Sequence, residues 1–325
     1  MFKKTLIASA LLALFSQSTL AADKVRWLND WLPAGDKAAI YLGVEQGLFA
    51  AEGIEVEIAS ARGGSDVVTK LATNSADFGS AGLASLLQAK AQGEVPVVAV
   101  APIYNKQPDA FFTTEGSGID SFKDIVGKTV ATPTFSASNV VWPLLLERNG
   151  IDPSSVKLLK LDPGALAPML ATGKVDATIN WLTVAPGFVR ALGETDKTLK
   201  TIAWSEYGFE GYGLSLVASQ RFVQSNPDVA KKFVKAYRQA QANAIADPDA
   251  AAAALKKRVP EVDQQQAEEQ FVASVPLMVN EISQAEGSGF DAKRLATTWE
   301  WVAKAQGMAL DSLDPASAVD TSLSE

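Results

Sequence analysis

Apolar and polar positions follow two rhythms along this chain, and each change of rhythm marks an element. Val25 to Leu28 is a short β-prone run, followed by the polar loop NDWLPAGDK and a helical spacing of apolar residues from Lys37 to Phe49. Asp36 stands where an N-cap is expected, and Gly47 and Gly53 punctuate the end of that helix. Ile54 to Ala59 alternates apolar with charged residues as a half-buried strand does, and ARGGSD then turns into a helix from Asp66 to Thr73. Asp77 to Ser80 reads as a strand, Leu83 to Gln92 as a helix, and Pro96 to Ile103 as a Val-rich strand. Strand and helix alternate, which predicts a parallel α/β sheet.

The same grammar resumes near Ile119. A strand at Thr129 to Ala131 leads through TPTFSAS into a helix from Asn139 to Asn149, then a strand at Val156 to Leu161. ALAPMLATG is helical and Ala177 to Asn180 a strand. The phrase LATNSAD at Leu71 to Asp77 returns as LATGKVD at Leu170 to Asp176, at the same helix-to-strand turn of each half. A single echo is no solenoid, but its matching context predicts two lobes of similar construction. Beyond Gly211 the strand LSLVAS precedes helices at Pro227 to Ala246, Asp249 to Arg258, Gln264 to Ser274 and Ala292 to Ala305, with Asn-Pro-Asp and Asp-Pro-Asp as start signals.

Composition narrows the chemistry. The 325 residues include no Cys and no His, so disulfides, thiolate nucleophiles, Cys/His zinc sites, Ser-His-Asp triads and imidazole bases are excluded. Lys3 and Lys4, the apolar run Thr5 to Phe15 and Thr19-Leu20-Ala21 have the form of an export leader, cleaved after Ala21 or Ala22. No Cys follows to carry a lipid. The net charge of −8 argues against nucleic acid or an anionic membrane as partner.

Two strand-to-helix loops are candidates for binding. In Arg62-Gly63-Gly64-Ser65-Asp66 the glycines admit close backbone approach, and free N–H groups favour an anion or a carbonyl oxygen, although an ordinary capped turn uses the same letters. Its counterpart in the second half is read as Thr132 to Ser138, with Thr134, Phe135, Ser136 and Ser138. Such loops at the carboxyl ends of two parallel sheets face one another across a cleft. Trp31, Phe135, Trp181 and Tyr212 lie at the same strand ends, whereas Trp142, Trp299 and Trp301 lie inside helices and read as core. Asn29, Asp30, Ser80, Asn180 and Glu210 add polar groups, with Arg62 the evident cation. Aromatic faces beside acids suit a planar, amine-bearing or weakly cationic ligand better than a dianion. Gly127-Lys128-Thr129 is no P-loop, because Phe122 occupies the required glycine position and the triplet precedes its strand.

DWLPAGDKAAIYLGVEQGLFAAEGIEVEI at Asp30 to Ile58, GGSDVVTKLATNSADFG, IDSFKDIVGKTVATP, LATGKVDATINW and YGFEGYGLSLVAS together resemble the NMT1/THI5-like group of type II periplasmic binding proteins. That group feeds ABC importers of taurine, alkanesulfonates, nitrate and thiamine-precursor pyrimidines. Asp30-Trp31-x-Pro33 is close to the opening motif of its pyrimidine branch, which continues with Asn and His where this chain has Ala34 and Lys37. The resemblance implies two lobes that close over one small molecule. It places the outgoing crossing near Phe112 to Gly118 and the return near Tyr207 to Leu214.

The expectation is an α/β, type II periplasmic binding protein with two parallel-sheet lobes joined by two hinge crossings. Residues 1–22 form the leader, 23–112 and 208–310 lobe one, 113–207 lobe two, and 311–325 a polar tail that frays. The expected role is the periplasmic solute-binding component of an ABC importer. It is a monomer partnered by a permease and an ATPase, without nucleic acid, membrane insertion, cofactor, metal or catalytic residue. An amino-substituted heterocycle such as a pyrimidine leads as ligand, with a sulfonate, taurine or nitrate-like anion at Arg62 second. From other classes come an exported enzyme using Asp30 and Glu210 as an acid-base pair, and a sensory ligand-binding protein.

Overall fold

The computed structural model describes residues 22–287 and 289–323; the expected leader, apart from its last residue, lies outside them. The chain opens with β1 (Asp23–Asn29), α1 (Ala38–Glu45), α2 (Leu48–Ala51) and β2 (Ile54–Ser60). It continues through α3 (Gly64–Ala72), β3 (Phe78–Gly82), α4 (Leu83–Gln92) and β4 (Val97–Pro102). The second series is β5 (Asp109–Thr114), β6 (Thr129–Pro133), α5 (Ser138–Arg148), β7 (Lys157–Leu161), α6 (Leu166–Ala171), β8 (Ala177–Trp181), α7 (Ala185–Gly193) and β9 (Leu199–Ala203). After β10 (Leu214–Ser219) come α8 (Gln220–Ser225), α9 (Pro227–Ala246), α10 (Pro248–Arg258), α11 (Gln264–Met278), α12 (Glu281–Glu286) and α13 (Ala292–Ala305).

The strands form two five-stranded sheets, in the orders β2-β1-β3-β10-β4 and β7-β6-β8-β5-β9. The expectation of purely parallel sheets needs correction. β10 runs antiparallel to β3 and β4, and β5 antiparallel to β8 and β9. Each reversed strand is the one delivered by a crossing from the other lobe. It needs no crossover helix within its own sheet and so escapes the parallel constraint. The outgoing crossing lies at residues 103–108 rather than at Phe112 to Gly118, because Asp109–Thr114 is already a strand of the second sheet.

Two further expectations are revised. Gly47 adopts a φ of 71° and splits the helix expected from Lys37 to Phe49 into α1 and α2. The polar tail is ordered over its described residues: Val319 bridges Ala99, the Asp320 N–H donates to the Ala99 carbonyl at 2.9 Å, and Ala318 and Leu323 are buried. It covers the edge strand β4, whose backbone groups need partners. Beside the tail, α13 packs on both α4 and α5. Gln306, just past α13, accepts from Gln88 Nε2 at 2.9 Å and donates to the Val140 carbonyl at 3.2 Å, tying one helix from each lobe.

The doubled phrase performs the same structural task twice. The Thr73 and Thr172 hydroxyls donate back to the carbonyls of Thr69 and Pro168 at 3.0 and 2.8 Å. Asn74 and Gly173 then turn the chain with φ of 55° and 69°. The Asp77 and Asp176 carboxylates accept from the backbone N–H of Arg26 and Thr129 at 2.8 and 2.7 Å. Their own N–H groups donate to the carbonyls of those residues at 2.9 Å. Each aspartate therefore pins the third strand of its lobe to the first.

Candidate functional site

β1 ends at Asn29, and the segment from Asp30 to Lys37 leads to α1, exposed at Leu32 but buried at Asp30 and from Ala34 to Lys37. Across from it stand the ends of β6 and β8. Between them lies a small cavity of about 30 Å³ lined by residues of both lobes, among them Asp30, Trp31, Asp36, Lys37, Ser136 and Trp181. Gly63, Gly64, Ala137, Asn180 and Thr183 complete much of the wall.

The two tryptophans exchange sides. Trp31, carried by the first lobe, packs against the second lobe's cluster around Leu166, Leu170 and Phe188. Trp181, carried by the second lobe, packs against the first lobe's core and lies 6.0 Å, centroid to centroid, from Tyr104. Glycines permit this approach at two points. A Cβ on Gly63, which has a φ of 148°, falls 2.2 Å from the Phe135 carbonyl oxygen, and one on Gly82 falls 2.4 Å from Ala137 Cβ. The Ser65 N–H donates to the same Phe135 carbonyl at 3.3 Å, so the two expected loops do meet across the cleft. They are not counterparts, however: the Arg62 loop follows the second strand of its lobe and the Phe135 loop the first strand of the other.

The charged floor of the cavity is formed by Asp30, Asp36 and Lys37. Lys37 Nζ lies 3.0 Å from Asp30 Oδ1 and 3.1 Å from Asp36 Oδ2, with its side chain only 3% exposed. Burial alone disfavours the ammonium, but the two carboxylates and their hydrogen bonds outweigh it and hold Lys37 above its ordinary pKa. Ser80 Oγ donates to Asp30 Oδ1 at 2.8 Å, and Thr183 Oγ1 donates across the lobes to Asp36 Oδ2 at 2.9 Å. Asp36 Oδ1 and Asn180 Oδ1 are buried and have no hydrogen-bond partner among the described residues.

Behind Trp181 lies a third carboxylate. Asp109 Oδ1 accepts from Trp181 Nε1 at 3.2 Å and from the Ser138 hydroxyl, which itself receives Ser136 Oγ at 2.9 Å. Burial pushes Asp109 up to about 6, against the opposing effect of the Ser138 and Trp181 hydrogen bonds. A short relay thus joins a cavity hydroxyl to a buried acid that also orients the indole.

Among the residues singled out from the sequence, Asp30, Trp31, Gly63, Gly64, Ser136, Asn180 and Trp181 line the cavity. Ser80 and Ser138 support wall residues, and Ser65 joins the lobes at the rim. Asn29 is held in the first lobe's core, taking Trp27 Nε1 and giving to Tyr41 OH. Arg62 is exposed, paired with Asp66 at 3.8 Å and lying 4.6 Å over the Phe135 ring. Thr134 is exposed, with its hydroxyl on the Leu161 carbonyl. Tyr212 is buried near the return crossing, where its hydroxyl accepts from the Asp291 N–H at 2.7 Å.

Glu210 is exposed and does not join Asp30, so the pair proposed for acid-base work is not assembled. Asp36, expected as a cap, makes no such bond and serves the cavity instead. Lys37, Asp109 and Thr183 were not singled out. The only signal was an acid and a base adjacent at a helix start, a pattern that solvated helix ends share.

A family profile described as NMT1/THI5 like matches residues 35–251, two thirds of the chain. The chain belongs to the NMT1/THI5-like family. It is 26% identical over 300 residues to the riboflavin-binding protein RibY of Chloroflexus aurantiacus, covering 90% of this chain and 83% of that one. It is 25% identical over 241 residues to the 4-amino-5-hydroxymethyl-2-methylpyrimidine phosphate synthase of Schizosaccharomyces pombe, covering 70% and 68% of the two chains. Among solved structures it is similar to the alkanesulfonate-binding protein SsuA from Xanthomonas axonopodis pv. citri bound to MOPS. The TM-score there is 0.72 at 18% identity, over 92% of this chain and 99% of that one. The fold of this family member is thus the two-lobed periplasmic binding protein fold.

Proposed function

We propose that this chain is the exported, periplasmic solute-binding component of an ABC importer, working as a monomer with a permease and an ATPase as partners. Its ligand is a planar, amino-substituted heterocycle such as a pyrimidine, held between the lobes without chemical change. The observation that carries this reading is the pair of unpartnered acceptors in the cavity wall, Asp36 Oδ1 from one lobe and Asn180 Oδ1 from the other. A buried acceptor left unpaired costs about 1–3 kcal/mol, and ligand N–H groups remove that cost in the closed state. The wall carries two carboxylates against one ammonium, which favours donors over anions. Trp31 and Trp181 supply apolar faces for a ring. No described helix is long and apolar enough to cross a membrane.

A sulfonate-like anion is the second reading, favoured by the Gly63–Gly64 backbone at the start of α3. Against it, Lys37 is already committed to two carboxylates, and Arg62 is exposed and paired. Native mass spectrometry of protein purified from its own periplasm identifies the co-purifying solute. Thermal shifts with 4-amino-2-methylpyrimidine and with taurine then separate the readings. Stabilisation by taurine alone sinks the heterocycle, and turnover of either compound sinks the binding-protein role.

A further inference from the structure

A buried lysine in a ligand cavity is an unusual use of space, and its surroundings resemble those of a bound amine. Lys37 Nζ sits between Asp30 Oδ1 and Asp36 Oδ2, at 3.0 and 3.1 Å, and 5.3 Å from the centroid of the Trp181 ring. Two carboxylates and an aromatic face, with water excluded, are the elements of a cation-binding pocket. The carboxylates belong to the first lobe and the ring to the second. We propose that Asp30, Asp36 and the Trp181 face form a cation subsite, and that Lys37 is the chain's own occupant of it, holding the lobes together before any solute arrives.

Three observations support this assignment. The Lys37 side chain is 3% exposed, so its charge is tolerated only because both carboxylates are at hand. Asp30 is fixed within its own lobe by Ser80, whereas Asp36 Oδ2 is shared between Lys37 and Thr183 of the other lobe. Lobe opening therefore breaks the Thr183 bond and removes the indole from the ammonium together. Asp36 Oδ1 remains unpartnered, so the internal cation does not exhaust the subsite. A solute meets that oxygen and Asn180 Oδ1 with N–H groups, while a full alkylammonium group finds its place taken. This consequence for selectivity rests on the reading of the cleft as the ligand site; the subsite itself does not.

The test vacates the subsite and refills it. Lys37→Ala is titrated with ethylammonium chloride, against sodium chloride at equal ionic strength, with thermal melting as readout. The expected result is a saturable rise in Tm of roughly 2–4 °C in Lys37→Ala, absent from wild type and from Lys37→Ala combined with Asp36→Asn. No response in Lys37→Ala, or an equal response in wild type, overturns the proposal. Where Lys37→Ala does not fold, small-angle scattering of solute-free Lys37→Met decides. A larger radius of gyration than wild type supports the internal cation, and an identical one refutes it. Failure of 4-amino-2-methylpyrimidine to bind any of these proteins overturns the functional reading alone.

Discussion

The two lobes share one plan and part company only where they face the cleft. In both, the first strand lies between the second and the third, and the reversed strand separates the third from the fourth. Asp77 and Asp176 occupy one position of this plan and make the same pair of backbone bonds. Four and five residues further along, equivalence of position no longer means equivalence of residue. Gly82 and Trp181 end the two third strands, and they meet across the cleft with 3.8 Å between Trp181 Cζ2 and a Cβ built on Gly82. Their partners on the reversed strands are Leu214 in one lobe and Asp109 in the other. The pairing of a large residue with a missing one, and of an apolar residue with an acid, allows near-identical scaffolds to close on each other and leave a polar, asymmetric cavity. Scaffold positions answer to hydrogen bonding within one lobe, and cleft positions answer to the other lobe.

The largest test of that contrast is Asp109, the acid where the first lobe has Leu214. Its pKa is raised to about 6, from an ordinary 3.8, by burial. The folded chain therefore holds this proton more tightly than the unfolded chain. The resulting stability is fully present below pH 3.8 and is lost as pH rises through 6, a change of about 3 kcal/mol. Asp109→Asn removes the titration, so its Tm should gain on wild type steadily between pH 4 and 7. A constant difference across that range contradicts the assignment. Next comes the shared aspartate. Asp77 is buried and also binds the Arg26 guanidinium at 2.6 and 3.0 Å, whereas Asp176 is exposed. Urea unfolding should show a loss of about 2–3 kcal/mol for Asp77→Ala and about 1 kcal/mol for Asp176→Ala, and equal losses would erase the distinction.

Gly82→Ala tests fit between the lobes rather than folding. Its new Cβ meets Ala137 at 2.4 Å only when the cleft is shut, so affinity for the co-purified solute should fall about tenfold, or ~1.4 kcal/mol. Unchanged calorimetric affinity would show that the lobes need not approach this closely. The smallest effect is expected outside the cavity, where Arg190 of α7 reaches Asp263 at 2.8 Å and Glu269 at 3.2 Å, all of them solvated. Arg190→Ala should cost about 0.5 kcal/mol at low salt and less at high salt.

The repeated LAT phrase was legible because its task is local: a helix end, a left-handed turn and an aspartate one strand away. Gly63, Gly64, Asn180 and Trp181 were legible as strand-end residues for the same reason. Glu210 was misplaced because residues on a crossing show no periodicity from which burial can be read. Lys37 and Asp109 were missed because a buried charge and a solvated one are written with the same letter. Only the neighbours distinguish them, and those come from distant segments of the chain: Trp181 lies beside both, reaching Lys37 from the other lobe and Asp109 from the adjacent strand of its own sheet.

The sequence by itself determined the alternation of strands and helices, the doubling of the plan, the exclusion of thiol and imidazole chemistry, and the family. All of these follow from patterns within a few residues or from composition. The tertiary structure alone decided that each sheet carries a reversed strand, that the polar tail covers an edge, and which charges line the cavity. Those outcomes depend on contacts between segments far apart in the chain, where the gain from pairing and burial is weighed after the backbone has already taken its local form.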